Sequence, residues 1–135
     1  MPLITWNDSL SVKVTEIDVQ HKKLIDMINT LYDAMKIGKG KNVMGDTLNN
    51  LITYTATHFN TEEKYFDFYN YPDKESHILE HKKFTETVTK FKKDFDSGNA
   101  TISLEVMNFL KDWLTKHING ADKKYTKCFN EHGLK

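Results

Sequence analysis

The stretch HFNTEEKYFDFYNYPDKESHILEHKKF, residues 58–84, decides the fold. It opens on His58 and Glu62, runs to Phe66, breaks at Asn70-Tyr71-Pro72-Asp73, and resumes with His77, His81 and Phe84. Spacings of three and four align side chains along one face of a helix, so the stretch reads as two helices joined by a tight turn. Pro72 breaks the first helix and Asp73 is placed to cap the second. The unusual feature is the content of those faces, where histidine and glutamate alternate with phenylalanine.

The same periodicity extends in both directions. Upstream, the helix carrying His58 starts near Asn42 as its N-cap, with the stripe Met44, Leu48, Leu51 and Thr55. Before it, a helix from about Asp18 to Ile37 carries His21, Leu24, Ile25, Ile28, Leu31, Tyr32 and Met35, and Gly38-Lys-Gly40 ends it. Downstream, the His77 helix continues through Val88, Phe91 and Phe95 to Ser97-Gly98-Asn99. A fourth helix begins near Thr101 or Ser103 and carries Ile102, Val106, Phe109, Leu110, Trp113, His117 and Ala121. The pattern leaves its end, past Gly120, undefined.

Four amphipathic helices with short links predict an all-α, antiparallel up-down-up-down four-helix bundle. Residues 1–17 are rich in β-branched and turn residues and read as an extended N-terminal arm over a bundle of residues 18–130. A chain of 135 residues suits one domain, 1–135, with one core. Two prolines and six glycines are too few breakers for a many-stranded alternative.

Nineteen basic residues balance nineteen acidic ones, which gives the chain no electrostatic pull toward nucleic acid or an anionic membrane. No apolar stretch approaches the ~20 residues of a membrane span, and the N-terminus lacks the basic and apolar regions of a signal peptide. The expectation is a soluble cytoplasmic protein and a monomer. One cysteine, Cys128, excludes an internal disulfide framework and reads as a spare thiol.

Five of the six histidines, His21, His58, His77, His81 and His117, fall on the apolar stripes. Burying one ionisable group costs several kcal/mol unless something pairs with it. One core histidine with a hydrogen-bond partner would be ordinary; five on four helices call for a metal ion. His58 with Glu62, and His77 with His81, each put two donors one turn apart on one face. In an up-down bundle all these positions come to the same end. Imidazole and carboxylate suit iron, zinc, copper or nickel alike. Asp122 is not selected by spacing, because five residues after His117 it stands roughly 140° away on a regular helix. Both reach one site only if that site is wide or the helix is distorted near Gly120.

These residues carry a resemblance. His58-Phe59-x2-Glu62-Glu63, Tyr71-Pro72, His77-x3-His81-x2-Phe84 and Trp113-Leu114-x2-His117-Ile118-x3-Asp122-Lys123, with Asp18-x-Gln20-His21-x2-Leu24 before them, closely resemble the hemerythrin family over residues 4–130. The length and the arm with Trp6 are similar to its single-domain bacterial members, the bacteriohemerythrins. The resemblance implies two iron ions with a bridging oxo or hydroxo group. His77, His81 and His117 would bind one iron, His21 and His58 the other, and Glu62 and Asp122 would bridge them. Two six-coordinate irons offer about twelve positions. Five histidines, two bridging carboxylates and the bridging oxygen then leave one position open for dioxygen. The resemblance further implies an apolar oxygen pocket of Leu24, Phe59, Trp113, Leu114 and Ile118. It implies reversible oxygen carriage, storage, delivery or sensing rather than catalysis, with an oxygen-consuming enzyme as a candidate recipient. Some relatives have a larger aliphatic residue where this chain has Ala121.

A di-iron oxidase or oxygenase is the main alternative. Ferritin-like sites use Glu-x-x-His motifs, and no histidine here has glutamate three residues before it. A zinc hydrolase lacks its His-Glu-x-x-His motif, and seven ligands are too many for one zinc.

Overall fold

The computed structural model describes residues 3–38, 41–98 and 104–135. Four long helical segments form a four-helix bundle: α1 (Thr15–Lys36), α2 (Lys41–Phe68), α3 (Lys74–Asp96) and α4 (Leu104–His117). The last segment does not stop at His117. It passes through a single π turn, Ile118–Asp122, into a final helix, α5 (Lys123–Glu131). No helix among the described residues is long and apolar enough to cross a membrane.

The stripes on α1, α2 and α3 lie inward, with Tyr32, Met35 and Phe91 only partly buried. Ile17, Leu24, Ile28 and Leu31 from α1, Leu48, Leu51 and Phe66 from α2, and Phe84, Val88 and Phe95 from α3 are all buried. On α4 the buried positions are Met107, Leu110, Leu114 and His117. Phe109, expected inside, is 39% exposed, and Val106 and Trp113 are only partly buried. The inner face of α4 is thus rotated from the predicted one, because Phe109 and Trp113 reach it from the flank by stacking on Phe84.

The helix ends follow local chemistry. α1 ends where Gly38 adopts a positive φ of 69°, which an L side chain adopts only at a steric cost. α2 ends with Asn70 in the same region, φ 52°, and the amide of Tyr71 donates back to the Phe66 carbonyl at 2.9 Å. Asparagine tolerates this conformation better than most residues. Two expected caps differ from prediction. α2 begins one residue before Asn42, and Asp73 holds the N-cap position of α3 without a side-chain bond. The predicted features at Gly40, Asn99, Thr101, Ile102 and Ser103 lie outside the described residues.

The arm is pinned rather than loose. Asn29 on α1 exchanges two hydrogen bonds with the backbone of Ile4, at 2.9 and 2.8 Å. Asp18 accepts from the Val12 amide and from the Ser11 hydroxyl. Thr126 and Asn130 of α5 donate to the carbonyls of Val12 and Lys13. α1 itself starts at Thr15, three residues earlier than periodicity placed it, because Ile17 is buried and extends its inner face.

Candidate metal centre

Each histidine expected on a stripe is carried inward by its helix. His21 of α1, His58 of α2, His77 and His81 of α3 and His117 of α4 are at most 4% exposed, and Glu62 and Asp122 are fully buried. The π turn explains how Asp122 joins them. It accommodates one more residue than an α turn, so Asp122 comes round to the face of His117. Its Oδ1 lies 3.0 Å from His117 Nε2 and 2.8 Å from His77 Nε2. Oδ2 lies 3.1 Å from His21 Nε2. Glu62 Oε1 lies 3.3 Å from His58 Nε2 and 3.2 Å from His81 Nε2.

The donor atoms form two overlapping sets. Glu62, His77, His81, His117 and Asp122 make one; His21, His58, Glu62 and Asp122 make the other. Within each set every donor lies within 4.8 Å of the rest. The two carboxylates belong to both.

Short contacts are not the same as satisfied groups. Glu62 Oε1 and both Asp122 oxygens have no partner in hydrogen-bond geometry, and neither has His21 Nδ1. A buried carboxylate oxygen without a donor is expensive. The imidazoles sharpen the point. His81 Nδ1 donates to Glu63 at 3.1 Å and His117 Nδ1 donates to Glu80 at 3.1 Å. In the neutral rings both Nε2 lone pairs then point inward, and these two nitrogens are only 3.2 Å apart. A cation between them removes the conflict. Without a metal the His81 ring favours its protonated form: burial pushes its pKa down, but Glu62 and Glu63 outweigh it and lift it to about 9. His117 is raised in the same way, mainly by Asp122 against its burial. Burial and Asp122 push Glu62 up, yet His58 and His81 outweigh them and hold it at about 2. Asp122 lies well below the carboxylate range because His117, His21 and His77 outweigh its burial. Five nitrogens and two ionised carboxylates, preformed and inward-facing, make a cluster able to bind metal.

Outer contacts fix this arrangement. Gln20 Oε1 accepts from His58 Nδ1 at 2.7 Å. The amide is held in that sense because its Nε2 donates to Thr61 Oγ1 at 3.2 Å, and the Thr61 hydroxyl donates to the Thr57 carbonyl. Tyr125, fully buried on α5, donates to Glu62 Oε2 at 2.5 Å. Burial, with the charges of Asp122 and Glu62, keeps the Tyr125 phenol protonated far above its ordinary pKa. Sequence reading missed Tyr125, Glu63 and Glu80 as supports of the site. The available signal for Tyr125 was the spacing Asp122, Tyr125, Phe129, which continues the buried face beyond the π turn.

Beside the cluster lies a narrow cavity of about 10 Å³, lined by Leu24, Ile28, Leu51, Thr55, Phe59, Phe84, Leu110, Trp113 and Leu114. It includes four of the five residues expected to wall a pocket; Ile118, also buried, is not among its lining. Phe59 stacks on His81 at 3.8 Å and Trp113 stacks on His117 at 4.4 Å, so both rings cover imidazoles. The Thr55 hydroxyl donates to the Leu51 carbonyl and offers the cavity no free proton.

Comparison with known proteins agrees with this geometry. The family model described as the hemerythrin HHE cation binding domain matches residues 12–128. A bacteriohemerythrin of Methylococcus capsulatus is 34% identical over 131 residues, covering 96% of this chain and 99% of that one. A bacteriohemerythrin of Stenotrophomonas maltophilia is 31% identical, covering 98% of this chain and 85% of the other. Among solved structures, wild-type hemerythrin superposes with a TM-score of 0.90 at 34% identity, over 93% of this chain and 97% of its own.

Proposed function

The chain belongs to the hemerythrin family, and on that premise we propose that it binds dioxygen reversibly at a non-haem di-iron centre. His77, His81 and His117 would hold one iron and His21 and His58 the other, with Glu62 and Asp122 available to both. The observation that carries this reading is the sharing of Glu62 and Asp122 between two donor sets, one with three histidines and one with two. When bound, such a pair would supply two electrons to a single small ligand.

The protein's own part is to orient and to exclude. The outer hydrogen bonds of His58, His81 and His117 fix each ring with Nε2 inward. Leu24, Phe59, Trp113 and Leu114 wall the narrow cavity beside the cluster and exclude water from it, with Ile118 buried outside its lining. Among the described residues at the site, no side chain stands free to act as a general acid. The Tyr125 hydroxyl is committed to Glu62 and that of Thr55 to a backbone carbonyl. A pocket that neither hydrates nor protonates its ligand favours release over turnover, which supports a carrier, store or delivery protein rather than an enzyme.

The test is to load the chain anaerobically with ferrous iron, measure iron per chain, admit air and then evacuate. A visible band that appears with air, disappears under vacuum and returns over repeated cycles, with two irons per chain, is the expected result. A band that bleaches after one exposure refutes reversible binding in favour of oxidase chemistry. A colourless protein refutes the di-iron centre.

A further inference from the structure

The two donor sets differ in what stands behind their imidazoles. In the three-histidine set, His81 Nδ1 donates to the carboxylate of Glu63 and His117 Nδ1 to that of Glu80, both at 3.1 Å. In the two-histidine set, His58 Nδ1 donates to the neutral amide of Gln20 at 2.7 Å, and His21 Nδ1 has no partner. Anionic backing is therefore confined to one side, among the imidazoles whose Nδ1 contacts are described.

From this asymmetry we infer that Glu63 and Glu80 are positioning residues that make the subsite of His77, His81 and His117 the tighter of two unequal metal subsites, filled first and emptied last. The inference rests on the di-metal reading above and adds to it an order of filling and the residues that set it. An imidazole whose N–H is held by a carboxylate is a more basic donor than one held by an amide, and the carboxylate adds a negative charge near the cation. Such outer partners typically change metal affinity by about 10–100-fold. Solvent ranks the two. The Glu63 side chain is 31% exposed and that of Glu80 is 49% exposed, so Glu80 is more screened and its share is smaller.

Ligand number alone would also favour the three-histidine side, so the test isolates the charge. Glutamine in place of Glu63 or Glu80 keeps an oxygen that accepts from the imidazole and removes only the negative charge. The converse change, Gln20→Glu, puts a carboxylate behind His58.

The experiment titrates the full-length, metal-free chain with cobalt(II) against a competing chelator, following the visible cobalt bands and binding heat. Two steps are expected in the native chain. Glu63→Gln should weaken the first by about 10-fold and leave the second in place. Glu80→Gln should do the same by a smaller factor. Gln20→Glu should tighten the second step alone, a gain that misfolding cannot mimic. Two cobalt ions bound in steps that none of the three variants moves apart or together would overturn the inference while leaving the di-metal reading intact. No cobalt bound at all would overturn both.

Discussion

Removing one oxygen atom, by Tyr125→Phe, tests how the bundle tolerates a buried anion. The Glu62 carboxylate is fully buried, and its Oε2 takes a 2.5 Å hydrogen bond from Tyr125 while its Oε1 has no donor. Phenylalanine keeps the ring and its stack on Phe129, 4.4 Å between centroids, so the apolar contribution is unchanged. What is lost is a hydrogen bond to a charged acceptor that water does not replace, worth about 1.5–3 kcal/mol. For a chain of this size that corresponds to a fall in Tm of roughly 6–12 °C. The control is the same substitution at Tyr65, whose hydroxyl donates to Glu16 at the exposed edge of the bundle. There water replaces the lost partner, and the cost should stay within about 0.5 kcal/mol. Urea and thermal unfolding of both metal-free variants, followed by circular dichroism, give the comparison. Equal losses for the two substitutions, or a loss under about 0.5 kcal/mol at Tyr125, would show that Glu62 is not the buried, under-satisfied anion described.

Two further predictions concern charge and helix geometry. His81, lifted to about 9 from its ordinary 6.5, contributes stability that is fully present below pH 6.5 and lost as pH rises through 9. Glu62, held at about 2 from 4.5, contributes stability present above pH 4.5 and lost as pH falls through 2. The metal-free chain should therefore be most stable between pH 4.5 and 6.5 in a series of urea titrations, and no loss between pH 6.5 and 9 would contradict it. Metal loading should abolish the alkaline loss, because the ion then occupies the nitrogen that the proton held. Deleting Gly120, which has nothing within 4 Å of a Cβ position, should close the π turn into ordinary helix and place the Asp122 side chain four residues after His117. That is the spacing of His58 and Glu62, so metal analysis should find the deletion variant still binding two ions. An alanine inserted after Gly120 should turn Asp122 and Tyr125 away and lose them.

Much of the bundle was legible because burial imposes a period. The inner faces of α1, α2 and α3 can be read from runs such as Leu24, Ile28, Leu31 and Leu48, Leu51, Thr55, and the same runs carry His21 and His58 inward. α4 was misread because Phe109 and Trp113 look like core residues in a one-dimensional pattern. Large aromatic rings reach a core from a flanking position, where Met107 and Leu114 must sit centrally. The arm was misjudged by three residues for a similar reason: the β-branched Thr15 and Ile17 disfavour helix in isolation, but burying Ile17 outweighs that small preference. Glu63 and Glu80 were illegible as supports because their sequence signature is that of any solvated helix surface. Only the direction of the His81 and His117 rings, a three-dimensional fact, distinguishes them from the chain's other acidic residues.

Asp122 shows where periodicity stops being a guide. On a continuous α-helix its carboxylate would leave the face of His117, and the sequence alone demands either a wide site or a distortion. The structure supplies the distortion in a single π turn, Ile118–Asp122, and pays for an irregular backbone at the point where two anionic oxygens are needed inside the bundle. The turn has a second effect. By absorbing one residue it keeps the next helix in phase, so Tyr125 and Phe129 stay on the buried face and Tyr125 reaches Glu62. One local irregularity thus bears on both carboxylates: it places Asp122, and it brings the Tyr125 phenol to Glu62, which α2 carries. The end of the fourth helix, the least readable part of the sequence, places Asp122 in the cluster and Tyr125 beside it.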